Sequence, residues 1–200
     1  MAVFQKPFKS ILVFFGCFSF CFSVAAQPAE VKLLDNLNPK YPTSAIIRGV
    51  TNSVYPVSLA APASLLMVGF IQHDKNLQIK GWEAVGSLAL NTIITQGMKR
   101  VVDRERPYQK YPLLIHPYLL EDRASFPSGH TSTAFSTATT LSLEFKKWYV
   151  VVPAYTYAVM VGYSRLYLGE HYPSDVFAGA VVGAGSAVLS HWLTKQVFDK

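Results

Sequence analysis

Three short runs between residues 99 and 175 combine cationic, imidazole and carboxylate side chains at fixed spacings. In chain order they are Lys99-x6-Arg106-Pro107, Pro127-Ser128-Gly129-His130, and Ser164-Arg165 followed by His171 and Asp175. Fixed cations can cancel the negative charge that shields a phosphate ester from attack, because a guanidinium pairs with two phosphate oxygens and an ammonium adds a point charge. Two imidazoles can divide the displacement, one attacking phosphorus and the other protonating the leaving oxygen. The runs therefore predict chemistry on a phosphate ester.

The roles of the two histidines follow from their neighbours. Asp175 lies four residues after His171 and could hold that ring in the tautomer whose free nitrogen points outward. We therefore predict that His171 is the nucleophile, that Asp175 orients it, and that His130 is the general acid. This scheme requires no metal and no cofactor, so neither is predicted.

The remaining residues of the three runs are predicted to bind the phosphate. Lys99, Arg106 and Arg165 would neutralise its charge and stabilise the transition state. Ser128 follows a proline and precedes a hydroxyl-rich stretch, so we expect it to be a helix N-cap. Backbone N–H groups at a helix start bind anions, and Gly129 would let the backbone approach the oxygens closely.

The composition favours a single domain in contact with lipid. Half of the residues are hydrophobic and only 15% are charged, against roughly a quarter in an average soluble domain. The net charge of +6 forms no basic stripe and accompanies no nucleic-acid motif, so nucleic acid is not predicted as a partner. The charge suits an anionic substrate and an anionic membrane surface instead.

The N-terminus has the features of an export signal. Two lysines precede an uncharged run over residues 10–26 that ends in small residues, so we predict that residues 1–26 are a signal peptide or a first transmembrane segment. Residues 27–200 would then form one domain, with its motifs between 99 and 175. Both cysteines fall in the N-terminal segment, so no disulfide or zinc site is expected in the rest.

Five apolar stretches predict an all-α bundle of five to six helices that crosses a membrane. They are residues 54–71, 84–98, 131–143, 148–163 and 176–193. Their lengths of 13 to 18 residues fall short of the roughly 20 that a span usually needs. Eight of the thirteen residues in 131–143 are Ser or Thr, so that helix is expected inside the bundle. Residues 27–53 show no catalytic motif and are predicted to hold at most one short amphipathic helix and, with residues 108–126, to form the entrance to the site.

The connecting segments predict how the bundle is oriented. With the N-terminus inside, residues 73–80, 144–147 and 194–200 lie on the cytoplasmic side, and each carries two lysines. This distribution matches the excess of positive charge found in cytoplasmic loops. The same threading places residues 99–130 and 164–175 together on the outer face, so the active site is predicted to face the periplasm.

Other charged and small residues are predicted to be structural. Asp103, Arg104 and Glu105 are interpreted as surface ion pairs, which contribute little to stability. Gly179 and Gly183 form a small-residue face of the kind that lets helices approach closely in lipid. The histidines outside the three runs lack partners at spacings suited to metal binding or catalysis.

Over residues 54–195 the chain resembles the type 2 phosphatidic acid phosphatase (PAP2) superfamily, whose three signature motifs the runs match at every position. The resemblance implies an all-helical core shared with haloperoxidases and a phosphohistidine intermediate on His171. It assigns the phosphate-binding role to Lys99, Arg106, Ser128, Gly129 and Arg165. The superfamily also includes soluble bacterial class A acid phosphatases, glucose-6-phosphatases and vanadium haloperoxidases.

The sequence thus predicts a phosphatase of the bacterial inner membrane, with a periplasm-facing site and a phosphorylated lipid as its partner. The bond cleaved would be a phosphate monoester or a diphosphate. One alternative is a soluble periplasmic acid phosphatase that acts on small phosphomonoesters. Another is a vanadate haloperoxidase in which His171 ligates the metal oxyanion, although the chain is short for that class. No motif specifies the head group or the oligomeric state.

Overall fold

The structure is a computed structural model that describes residues 27–121 and 123–198. All regular secondary structure in these two ranges is helical. The predicted signal or first span, residues 1–26, and both cysteines lie outside the described residues.

The segment before the first predicted helix is more ordered than its composition indicated. It contains two helices, α1 (Gln27–Leu37) and α2 (Ala45–Asn52), where at most one was predicted. Helix α2 is capped by Ser44, whose hydroxyl accepts a hydrogen bond from the Ile47 backbone N–H at 3.4 Å. The prolines of this segment, Pro28, Pro39 and Pro42, lie outside the interiors of both helices, so they do not interrupt them.

The five predicted helices are all present, and a short sixth lies between two of them. In chain order they are α3 (Val54–Ile71), α4 (Lys75–Val102), α5 (Pro107–Lys110), α6 (Gly129–Phe145), α7 (Trp148–Tyr167) and α8 (Pro173–Phe198). Helix α4 begins well before its apolar stretch, because the Asp74 carboxylate accepts hydrogen bonds from the N–H groups of Asn76 and Leu77 at 2.8 and 3.1 Å. Most of the predicted loop over residues 73–80 is therefore helix.

Helix α6 lies in the interior of the bundle, as its hydroxyl content predicted. It packs against α8, α7 and α4. Its hydroxyl groups bond to those of α4: the Oγ atoms of Ser136 and Ser87 are 2.7 Å apart, and Ser132 Oγ lies 3.1 Å from Thr95 Oγ1. These pairs satisfy polar groups that would be costly to bury alone.

The contact between α6 and α8 depends on glycine. A Cβ atom at Gly179 would lie 2.6 Å from the Ser128 carbonyl oxygen, and one at Gly183 would overlap the carbonyl oxygen of Ser132. The predicted small-residue face is thus confirmed as the surface on which the two backbones meet. This contact sets the position of the N-terminus of α6.

Among the residues that the structure describes, two helices have the properties of membrane spans. Helices α3 and α8 are long and apolar enough to cross a bilayer, judged by length and composition. Their outer faces are exposed: Leu59 and Ile71 of α3 are 64% and 72% exposed, and Val188 of α8 is 53% exposed. Broad apolar surface of this kind is unfavourable in water and is solvated by lipid. We therefore assign the protein to a membrane.

Replacing Gly183 with alanine should destabilise the bundle by separating α6 from α8. We expect a loss of about 1–3 kcal/mol in the free energy of unfolding, typical of overpacking a tight interior. The matched control is Gly185→Ala in the same helix, where an added Cβ meets nothing within 4 Å. Thermal unfolding in detergent measures both, and equal melting temperatures would contradict the role given to this contact.

Candidate active site

The three sequence runs meet at one end of the bundle. The C-terminal ends of α4 and α7 carry Lys99 and Arg165, while the N-terminal ends of α6 and α8 carry His130 and Asp175. The backbone N–H of Ser128 donates to the Asp175 carbonyl at 3.0 Å, which joins the second run to the third. Antiparallel packing of these four helices therefore gathers residues that are up to 76 positions apart in the chain.

Two arginines from different runs converge on one carboxylate, that of Glu121. Arg106 Nη2 lies 2.6 Å from Glu121 Oε2, and Arg165 Nη2 lies 2.9 Å from Oε1. The arginine side chains are 1% and 2% exposed, whereas the Glu121 side chain is 32% exposed. The pocket is thus built to hold an anion by two oxygens, one on each guanidinium.

The surroundings hold both guanidinium groups in place. Arg106 donates to the carbonyl oxygens of Arg123 and Glu170 at 2.9 and 3.0 Å. Arg165 donates to Thr51 Oγ1 at 2.7 Å and forms an ion pair with the Glu170 carboxylate. Donors fixed in this way need little reorganisation when they stabilise an oxyanion.

The remaining predicted phosphate-binding residues surround the same space. The buried Lys99 ammonium donates to the Ala124 carbonyl. Helix α6 begins directly after Ser128, as predicted, but the hydroxyl of Ser128 bonds to Thr131 Oγ1 at 2.9 Å and makes no cap to the backbone. A Cβ at Gly129 would meet nothing within 4 Å. The start of α6 therefore faces open space.

The His171 ring is buried with one nitrogen toward Asp175. Its Nδ1 lies 3.6 Å from Asp175 Oδ2, and the two side chains are 2% and 0% exposed. The same carboxylate oxygen accepts hydrogen bonds from the Ser125 hydroxyl and from the Tyr172 backbone N–H. Ser125 Oγ also lies 3.4 Å from His171 Nδ1, a contact that the sequence did not predict. Nε2 is therefore the ring nitrogen turned away from Asp175.

The two imidazoles share one electrostatic environment. Burial and then the charges of Arg106 and Arg165 hold the pKa of His171 well below its ordinary value. His130 precedes the apolar part of α6, and burial followed by the Arg165 charge lowers its pKa to about 3. Its ring packs on that of Tyr55, with centroids 5.0 Å apart. Both rings are therefore neutral before an anion enters.

Glu121 and Glu170 both pair with Arg165, and their pKa values are shifted in opposite directions. Burial raises the pKa of Glu170 to about 7, with the neighbouring Glu121 acting in the same direction. Burial also opposes ionisation of Glu121, but its hydrogen bond to Glu170 and the charges of Arg106 and Arg165 prevail and lower its pKa to about 2. The group between the arginines is thus an anion at neutral pH.

One sequence interpretation is wrong near the site. Arg104 is not part of a surface ion pair, because its Nη1 lies 2.6 Å from the buried Asp175 Oδ1. Residues 27–53 reach the site through individual contacts that no motif indicated, since Thr51 bonds to Arg165 and Glu30 pairs with Arg104. The position of Arg104 inside the first run was a usable signal. The N-terminal residues carried none, because their contacts depend on how α1 and α2 dock.

A second cluster forms at the opposite end of the bundle. Glu83, Glu144 and His191 place potential metal-ligating atoms within 4.8 Å of one another, although the spacing of His191 had indicated no such partners. His191 Nδ1 contacts Glu83 Oε1 at 2.9 Å and Glu144 Oε1 at 3.2 Å, and Lys80 pairs with Glu144 at 3.8 Å. These contacts already pair the charged groups with one another, and they lie far from the arginines.

Comparison with known proteins identifies the family. The sequence profile of the PAP2 superfamily matches residues 80–199, which is more than half of the chain. The chain therefore belongs to the PAP2 superfamily, as its three motifs predicted.

Two curated relatives and one solved structure agree with this assignment. The chain is 43% identical over 77 residues to a lipid A 1-phosphatase of Porphyromonas gingivalis, covering 37% of this chain and 17% of the relative. It is 35% identical over 114 residues to an undecaprenyl-diphosphatase of Sulfolobus acidocaldarius, covering 55% and 53%. The matched segments thus span about half of the second relative and much less of the first.

The fold matches a transmembrane PAP2-type phosphatidylglycerolphosphate phosphatase from Bacillus subtilis. The TM-score is 0.71 at 21% sequence identity, and the match covers 94% of this chain and 96% of that protein. The predicted all-α PAP2 fold is therefore confirmed.

The His171 ring should remain neutral at pH values where a solvated imidazole is half protonated. Its ordinary pKa is 6.5, and burial with nearby cations disfavours the charged form, so the ring gains a proton only at distinctly lower pH. NMR titration of histidine-¹⁵N-labelled protein in detergent measures this, with the His171→Ala variant assigning the signal. A free histidine peptide is the reference, and a midpoint near 6.5 in the protein would contradict the expectation.

Proposed function

We propose that the protein is a lipid phosphatase that removes phosphate from a monoester or diphosphate through a phosphohistidine intermediate on His171. The observation that carries this proposal is the convergence of Arg106 and Arg165 on two oxygens of one carboxylate, in the pocket that also holds His171. Substrate phosphate would take the place of the Glu121 carboxylate between the guanidinium groups. The exposure of Glu121 gives it room to leave toward solvent.

In the first step His171 Nε2 attacks phosphorus, and the bond between phosphorus and the leaving oxygen breaks. The carboxylate of Asp175, whose Oδ2 lies 3.6 Å from Nδ1, stabilises the positive charge that develops on the ring. His130 donates a proton to the leaving oxygen. The negative charge of the bound phosphate offsets the cations that lower the pKa of His130. His130 can therefore take up the proton of a monoanionic substrate phosphate and then donate it to the leaving oxygen.

In the second step water attacks the phosphohistidine and the N–P bond breaks. His130, now neutral, accepts the proton of the attacking water and passes it to the inorganic phosphate that leaves, so both imidazoles return to their neutral starting state. Lys99, Arg106 and Arg165 stabilise the equatorial oxygens in both steps. The start of α6 adds backbone donors beside the open space at Gly129.

The apolar surface and the charge distribution support a lipid substrate and a periplasmic site. Exposed apolar side chains on α3 and α8 would place the pocket at a membrane surface. Lys80 and Lys147 lie at the end of the bundle opposite the catalytic residues. Because basic residues favour the cytoplasmic side, this end would lie inside and the pocket outside.

His171→Ala should abolish phosphate release while lipid binding survives. Loss of the nucleophile is expected to lower kcat by at least about 10³-fold. The assay uses detergent-solubilised protein, a metal chelator, and phosphatidylglycerolphosphate, undecaprenyl diphosphate, lipid A or phosphatidate. His73→Asn, a change at an exposed imidazole, is the control and should retain wild-type turnover.

Three results would contradict this proposal. They are an absolute requirement for a divalent metal, turnover by the His171→Ala variant, and inactivity of the wild type on all four lipids. Faster hydrolysis of small phosphomonoesters, together with release of the protein by carbonate washing of membranes, would favour a soluble acid phosphatase.

Cysteine labelling should show that the catalytic end faces outward. In a background without the native cysteines, Leu113→Cys beside the site should react with an impermeant maleimide in intact spheroplasts, since Leu113 is 91% exposed. Lys147→Cys, exposed at the other end, should react only after lysis. The reverse pattern would place the site in the cytoplasm.

A further inference from the structure

A buried chain of charged groups links the N-terminal helix α1 to the catalytic carboxylate. It runs from Glu30 of α1 through Arg104 to Asp175. Glu30 lies outside the region that the superfamily profile matches, residues 80–199. We infer that Arg104 and Glu30 are positioning residues of the active site, which set the orientation of Asp175 and, through it, the ring of His171. The inference rests on the proposed function of this site.

Arg104 helps to determine which oxygen of Asp175 faces the histidine, together with the Ser125 hydroxyl and the Tyr172 backbone N–H that bind Oδ2. Its Nη1 binds Asp175 Oδ1 at 2.6 Å and lies 2.8 Å from Ser174 Oγ. Its guanidinium carbon is 3.9 Å from the centroid of the Tyr172 ring. With Oδ1 held in this way, Oδ2 is the oxygen left to face His171 Nδ1 at 3.6 Å.

Arg104 also supplies the charge that a buried carboxylate requires. The Asp175 side chain is 0% exposed, and an unpaired charge in that setting is strongly unfavourable. Without Arg104 the carboxylate would compete for the Nδ1 proton of His171 or rotate away from it. Either change favours the tautomer with the proton on Nε2, which cannot attack phosphorus.

Glu30 holds Arg104 from the other side. Arg104 Nη2 lies 3.3 Å from Glu30 Oε2, and the Ser174 hydroxyl donates to the same oxygen at 2.6 Å. Glu30 is 7% exposed. By sharing the guanidinium charge, Glu30 leaves Asp175 with enough negative charge to stabilise a cationic ring. Helix α1 therefore helps to position the catalytic residues.

Other charged groups also act on the His171–Asp175 pair. Arg106, Arg165, Lys99 and Glu121 influence the ring of His171, and Lys99 interacts with the charge of Asp175. These four groups are unchanged in the variants described below. A difference between variants therefore reports on Arg104 or Glu30 alone.

The test compares Arg104→Gln, Arg104→Lys and Glu30→Gln in the full-length protein. Arg104→Gln should lower kcat by about 10- to 100-fold, the usual effect of losing a group that orients a ligand or base, with KM within about threefold of wild type. Arg104→Lys should recover part of the loss because it keeps the charge. Glu30→Gln should lower kcat by about threefold to tenfold, again with little change in KM.

Histidine ¹⁵N chemical shifts provide a readout that does not require turnover. In wild type the His171 proton should reside on Nδ1. Arg104→Gln should move it partly to Nε2 and raise the pKa of His171, because a nearby positive charge is lost. Glu30→Gln should not raise that pKa, because a negative charge is lost instead. If the wild type proves inactive on every phosphate ester, the proposed function fails but these spectra still test the positioning role.

Val31→Ala and Asn38→Ala are the structural controls. Val31 packs in the apolar cluster beneath α1, and the Asn38 amide donates to the carbonyls of His116 and Tyr167 at 2.9 and 2.8 Å. Both changes loosen α1 without altering charge, so they should lower the melting temperature and leave the His171 tautomer unchanged. The inference is overturned if Glu30→Gln matches these controls in kcat at equal stability, or if Arg104→Gln leaves kcat and the tautomer at wild-type values.

Discussion

The structure depends on concentrating positive charge at one buried end of a helical bundle. Arg106 and Arg165 are almost fully removed from solvent, and a guanidinium in that position must be paired or it destabilises the fold. Glu121 and Glu170 supply the pairing in the free protein. Glu121 is partly exposed on a loop, so the anion that pairs with both arginines is the one nearest to solvent. The contacts that stabilise the buried arginines are therefore the ones that the proposed function assigns to phosphate.

Helix packing brings the charged side chains of the three runs together. The backbone of α6 lies directly against α8 at Gly179 and Gly183, which brings the start of α6 beside the start of α8. The hydroxyl groups of α6 are satisfied by α4, so the helix can occupy the interior despite its polarity. The motif residues converge because α4 and α7 end, and α6 and α8 begin, at the same end of the bundle.

Much of this architecture could be predicted from local sequence. Apolar stretches located the five main helices, and the glycines on α8 indicated close contact. The misses share a cause, which is that they depend on tertiary contacts. Arg104 resembled an exposed charge because its place inside the first run does not by itself show that Asp175 would lie against it. Glu30 and Thr51 sit in a polar segment without a motif, and their role appears only when α1 and α2 dock on the core.

The sequence by itself determined the family and the types of side chain available for chemistry. Motif spacing and apolar periodicity are local properties, so they can be read without coordinates. Only the tertiary structure decided which groups share a pocket and in what charge state. It placed Glu121 between the two arginines and Arg104 against Asp175. Burial and pairing depend on contacts between residues far apart in the chain, and such contacts exist only after the helices have packed.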